Sequence, residues 1–201
     1  MSEAVKRLQI ILNQQGAKLI VDGDLGNLTK QAIDNLKIPL HLKIALKEVG
    51  TREIVGEKDN PRVKEYHTSV GGIGWKDEIA WCGSVMGWIM LKAKYITKRI
   101  EYSPPTYAYR ALSWVKFGKS VNPCIGAVCV KSRKGGGHVT LLVGQLRDGR
   151  LLCAGGNQNN EFNIGIYRVS DFLDFRLPSH LIPQPLLTFD LNVKSTAINE
   201  A

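Results

Sequence analysis

The chain has 201 residues, 44% of them hydrophobic and 22% charged, with a formal net charge of +9. These are globular proportions that call for a packed core in one domain or two. No apolar run approaches a membrane span, and the start, Met1-Ser-Glu-Ala-Val-Lys-Arg, is polar and unlike a secretory leader. A cytoplasmic chain is therefore expected, with Cys82, Cys124, Cys129 and Cys153 reduced. No two of these cysteines form a tight CxxC pair, and Cys129 and Cys153 fall in strand-like runs, so neither zinc nor any other cofactor is expected. The charge is uneven. Between Leu91 and Lys134 there are ten basic residues and one acid, Glu101, a net of +9 that equals the whole-chain excess. Such a face suits a polyanion, either nucleic acid or an anionic cell envelope, or is simply a solvated basic surface. No groove-reading motif accompanies it, so nucleic acid is not expected as a partner.

In chain order, Val5, Leu8, Ile11 and Leu12 recur at helical spacing over Ala4–Gln15, and Gly16 stops that helix. Asp22-Gly-Asp-Leu-Gly26 follows as a compact turn, and Thr29, or Asn27 before it, is placed to cap a second helix over Lys30–Leu36. Asp22 and Asp24 are not a calcium loop, because the later oxygen ligands and the closing glutamate are missing. The pattern of Val5, Leu8, Gln9 and Leu12, then Asp22, Gly23, Gly26, Thr29 and Ala32, resembles the peptidoglycan-binding modules attached to many cell-wall hydrolases. It covers residues 3 to 37, and it implies a short wall-binding unit or the remnant of one.

Pro39 marks a junction. A helix is expected over His41–Val49, ended by Gly50, then a polar loop from Glu53 to Asn60 and a helical turn at Arg62–His67. Gly71-Gly-Ile-Gly74 leads to Trp75, and an apolar run from Val85 to Leu91 reads as a buried helix with Cys82 at its start. Another helix is expected over Ala108–Val115. From Cys124 the period changes: strands at Ile125–Lys131, His138–Gln145, Arg150–Ala154 and Asn163–Val169, a turn or mobile loop at Lys131–Gly137, and a hairpin turn at Arg147-Asp-Gly149. Past Pro178 an extended tail is expected, with a final edge strand at Leu187–Val193. Helices first and an antiparallel meander after them indicate an α+β fold.

The chemistry concentrates at three places. A thiol at a helix start meets backbone N–H groups and the positive end of the helix dipole, which favour thiolate. A buried structural cysteine is the commoner role, so Cys82 needs a base. His138 follows three glycines and opens a strand, which leaves room for a substrate beside a fixed imidazole. His41, His67 and His180 read as ordinary surface histidines. Pairing across Arg147-Asp-Gly149 returns Ala154-Gly-Gly-Asn-Gln-Asn-Asn160 to His138, so Asn157 or Gln158 is in reach to accept the Nδ1–H and hold the tautomer.

Trp81-Cys82-Gly83, Gly137-His138-Val139 and Gly155-Gly156-Asn157-Gln158 resemble the CHAP amidase and peptidase group, cousins of the NlpC-like cell-wall peptidases with a papain-like core. Gly56, Asn60-Pro61 and the Ala111–Trp114 segment also look like this group, and the resemblance runs from about residue 42 to 170. It implies a papain-like α+β core at 42–178, preceded by the helical module at 1–38 and followed by an extended tail at 179–201. It implies hydrolysis of an amide bond in peptidoglycan, with Cys82 as nucleophile, His138 as base and then acid, and Asn157 orienting His138. Trp75, Trp81, Trp114 and Gln158 are candidates for substrate contact. Gly83 stands where relatives commonly carry serine. A wall-binding unit ahead of a catalytic domain, without a leader and with strong positive charge, resembles the phage endolysins: monomers that act on bacterial peptidoglycan after release from the host cytoplasm. A virion lysin, an antibacterial effector or a catalytically idle wall-binding protein are the alternatives.

Overall fold

A computed structural model describes residues 1–191. Helix α1 (Glu3–Gln14) starts at Ser2, whose hydroxyl accepts the Val5 N–H, and it buries Val5, Leu8, Ile11 and Leu12. Helix α2 (Asn27–Asn35) starts earlier than expected. Gly26 precedes it with no capping side chain, and Thr29 lies inside the helix. The Thr29 hydroxyl donates to the Asp24 carbonyl at 3.1 Å, so it is spent on the preceding loop. Gln9 closes that loop: its amide donates to Asp22 Oδ1 at 2.8 Å and accepts the Gly23 N–H at 2.9 Å.

Helices α3 (Leu40–Leu46) and α4 (Pro61–Ser69) follow. Asn60 caps α4 by accepting the Arg62 N–H at 2.8 Å, with Pro61 at the first position, where its missing N–H costs nothing. Helix α5 (Cys82–Thr97) is the longest, and Lys98 ends it in the left-handed region at φ 60°. The helix expected over Ala108–Val115 is a 3-10 helix at Ala111–Lys116.

The strands are β1 (Lys119–Ser120), β2 (Val128–Arg133), β3 (Gly136–Leu146), β4 (Leu151–Gly155), β5 (Asn163–Tyr167), β6 (Asp174–Leu177) and β7 (Thr188–Phe189). They form one sheet in the order β1-β6-β2-β3-β4-β5. Every pairing is antiparallel except that of β7, which lies parallel against the end of β3 beyond the reach of β2. The expected loop at Lys131–Gly137 is instead a tight hairpin, because pairing extends to Arg133↔Gly136. Of the edge strand expected at Leu187–Val193, Thr188 and Phe189 pair with β3, while Asn192 and Val193 lie outside the described residues.

Helices cover one face of this α+β sheet, and the core there joins Leu42, Trp81, Ile89, Val139 and Ile164. Leu8, Ile11 and Leu12 of α1 belong to that same core. Polar contacts fasten the junction. Ser2 Oγ donates to Glu161 Oε1 at 2.8 Å, Arg52 pairs with Glu161 at 2.9 Å, and the Arg7 guanidinium donates to the Ile164 carbonyl of β5. A smaller cluster on the other face gathers Cys124, Cys129, Leu142, Cys153, Tyr167 and Phe175.

Candidate active site

Cys82 is the first residue of α5, and Trp81 before it offers no capping side chain to the first turn. The start of the helix is held from three sides. The Trp81 indole is fully buried and donates to Glu53 Oε1 at 2.6 Å. Asp77, also buried, accepts the N–H groups of Ile54 at 2.9 Å and Asn60 at 2.8 Å, tying the 53–60 loop to the approach segment. Gly83 packs against the backbone at 108–109, where a β-carbon would lie 2.3 Å from the Tyr109 carbonyl oxygen. The packing requires glycine at 83: any side chain there would push α5 off that segment.

Cys82 opens on a cleft of about 610 Å³ whose walls include Tyr109, Leu112 and Lys116 on one side and Arg133 and Gly135, Gly136 and Gly137 on the other. Gly137 allows close approach, since a β-carbon there would meet Leu112 Cδ2 at 2.7 Å. His138 comes next on β3. Its neighbours Val139 and Leu141 belong to the helix-side core, whereas the His138 ring alternates with them, stacks on Tyr167 at 6.4 Å between centroids and is not among the residues lining the cleft at Cys82.

The amide at His138 is that of Gln158, not of Asn157. Gln158 Oε1 lies 3.4 Å from His138 Nε2 and accepts the Tyr167 hydroxyl at 2.5 Å. Its NH2 group is committed to the carbonyls of Asn163 at 2.7 Å and Gly155 at 3.1 Å, so the amide orientation is fixed and oxygen faces the ring. An amide oxygen can only accept, so this contact is made by Nε2–H rather than by the Nδ1–H expected from the sequence.

Asn157 is buried, and neither its Oδ1 nor its Nδ2 has a hydrogen-bond partner. The β3–β4 register does set residue 157 opposite His138, but Asn157 has φ 56°. That left-handed turn ends the strand's alternation and passes the contact to the next residue. The expected pairing of Asn157 with the imidazole is thus corrected to Gln158.

Trp81 and Trp114 are fully buried, so neither lines the cleft. Trp114 is pinned by its indole N–H, which donates to the Ala108 carbonyl at 2.8 Å. Trp75 is half-buried and stands edge-on to Tyr109 at 5.3 Å, beside the cleft wall. Gln158 is fully buried, which suits positioning His138 rather than meeting substrate.

The other histidines also differ from the surface role expected. His41 and His67 are fully buried, the first against the Gly126 carbonyl at 2.7 Å and the second against Ser84 Oγ at 2.9 Å, and His180 is half-buried beside Tyr102. Tyr167, Arg110, Lys116 and Arg133 were not singled out by sequence reasoning. The basic count over Leu91–Lys134 contained the three cations but had no means of gathering them at the cleft.

Among the described residues no group of His, Cys, Asp and Glu gathers as a metal site, and no helix is long and apolar enough to cross a membrane. Comparison with protein-family models, with curated proteins and with solved structures finds no match.

Proposed function

We propose that this chain is a peptidoglycan hydrolase, a cysteine amidase or peptidase of the CHAP and NlpC-like type with a papain-like core. The observation that carries the reading is the position of Cys82. It is the first residue of a buried helix and opens on a cleft whose far wall is the glycine run leading to His138. The Cys82 thiolate attacks the amide carbonyl carbon, and backbone N–H groups at the start of α5 receive the negative charge on oxygen. The C–N bond breaks, the leaving amine takes a proton from His138, and a thioester remains. His138 then removes a proton from water, which attacks the thioester and releases the carboxylate and the free thiol. Gln158 performs the orienting role that the resemblance gave to Asn157.

The bacterial wall is the proposed partner, supported by the N-terminal pattern around Gln9, Asp22 and Gly23, which forms a closed loop. The basic residues of Leu91–Lys134 favour an anionic envelope, and wall binding in a pelleting assay is expected to weaken as salt rises. Release from a host cytoplasm, as in endolysins, fits the same reading. The decisive test is Cys82→Ala. The variant is expected to keep the circular dichroism and thermal unfolding of the parent and to lose all clearing of a cell-wall suspension. Clearing at the parent rate would end the proposal. Mass spectrometry of the digest identifies the bond: the lactyl-alanine amide, or one within or between stem peptides.

A further inference from the structure

We infer that the cleft beside Cys82 selects peptides carrying a free carboxylate, held by Arg110, Lys116 and Arg133. The inference rests on the cleft being the substrate channel and goes beyond it by naming the group that is recognised. Among the described residues the cleft walls carry these three cations and no acidic side chain. Their arrangement follows from the 3-10 helix at Ala111–Lys116. With three residues per turn, positions three apart lie one above another. Ser113 and Lys116, one turn apart, therefore share a ridge, Arg110 precedes it at the cap on extended backbone, and all three line the cleft. An α-helix over the same residues would fan three such positions across about 120° instead of stacking them.

Arg133 enters from the opposite wall, at the β2–β3 hairpin. The Arg110 guanidinium rests on the rings of Tyr107 at 5.4 Å and Tyr109 at 5.6 Å, which orders it before any ligand arrives. Two buried or partly buried carboxylates near the start of α5 are engaged elsewhere. Glu53 accepts from Trp81, and Asp77 accepts the N–H groups of Ile54 and Asn60. Cations on two walls of one cleft suit a carboxylate, which accepts charge-assisted hydrogen bonds from several donors at once; a carboxamide offers one acceptor oxygen and no charge.

The test is binding to the full-length Cys82→Ala protein, measured by calorimetry, of the stem tetrapeptide L-Ala-γ-D-Glu-L-Lys-D-Ala with its carboxylates free and with them converted to carboxamides. The free acid is expected to bind about tenfold tighter, with the difference collapsing near 1 M salt and in the Arg110→Gln/Lys116→Gln double variant. Both substituted side chains are exposed, so the double variant is expected to fold. Equal binding of the two peptides, or a preference that survives the double substitution, would overturn the inference. Binding to the Cys82→Ala protein does not depend on turnover. Preference for the acid together with a parent protein that cleaves neither peptide nor wall would leave this inference standing and remove the proposed function.

Discussion

Gly156 leaves no space beneath the indole of Trp81: a β-carbon at 156 would lie 2.3 Å from Trp81 Cζ3 and 2.7 Å from Val85 Cγ1. This contact sets the end of β4 directly on the start of α5. Gly156→Ala is expected to cost about 1–3 kcal/mol of stability through overpacking. Because the displaced helix carries Cys82, activity is expected to fall further than the loss of folded protein explains. Urea unfolding beside a wall-clearing assay on the same samples checks this, and an unchanged midpoint would show that the contact is slack.

The orienting contact distinguishes two adjacent amides. Gln158→Ala removes the oxygen facing His138 Nε2 and is expected to lower kcat by about tenfold or more, the equivalent of one hydrogen bond of ~1.4 kcal/mol, with KM little changed. Asn157→Ala is expected to cost less, since its side chain makes no hydrogen bond. Tyr167→Phe, which removes a donor to the same oxygen, is expected to shift the pH profile of kcat without abolishing activity. A larger effect at Asn157 than at Gln158 would return the role to Asn157.

Stability is expected to fall on the acid side through His41. Burial pushes its pKa down from 6.5 to about 4. Between those values the unfolded imidazole is protonated and the folded one is not, so the unfolded state binds more protons and stability falls as pH falls. Above about pH 6.5 the contribution is flat. The loss reaches about 3 kcal/mol by pH 4, at ~1.4 kcal/mol per pH unit. His41→Gln is expected to be less stable at neutral pH, having altered the contact to the Gly126 carbonyl, but to show a shallower decline between pH 6.5 and 4. Denaturant titrations across that window compare the slopes, and equal slopes would place the titrating group elsewhere.

Removing residues 1–38 is expected to destabilise the remainder rather than leave an intact catalytic unit. Leu8, Ile11 and Leu12 are almost fully buried in the core shared with the sheet. At ~1.5–3 kcal/mol for each buried side chain, the shortened chain is expected to lose at least about 4 kcal/mol. Thermal unfolding of the shortened chain checks this, and a midpoint equal to that of the full chain would show that the unit is separable.

Much of the fold is legible in local signals. The apolar spacing of α1, the buried run after Cys82 and the Arg147-Asp-Gly149 turn each act within a few residues, and each element stands where its pattern puts it, while the helical turn expected at Arg62–His67 is the longer helix α4. What stays hidden depends on partners far along the chain. Trp81 is a core residue because Glu53 meets its indole N–H, and nothing near either residue announces that pair. Asn157 and Gln158 are indistinguishable by strand counting. The choice is made by a run of left-handed residues, Asn157, Asn159 and Asn160, that the asparagine-rich composition allows but does not dictate. The 3-10 helix at Ala111–Lys116 carries an apolar spacing that reads equally well as α-helix, so the ridge of Ser113 and Lys116 is not visible in the sequence.

The fastening of α1 to β5 bears on how such an enzyme would travel over its substrate. Modular hydrolases joined by a flexible tether gain a high effective concentration of the catalytic unit around each anchoring point and sweep a volume set by the tether's length. Here Ser2 and Arg7 fasten the two parts into one body. Under the proposed function, an anchored molecule presents its cleft at one fixed distance and angle. Each anchoring event then addresses a single bond, and progress across the wall requires release and rebinding. Under that reading, turnover on insoluble wall would be governed by the dissociation rate of the anchor, and strengthening that anchor would slow the enzyme.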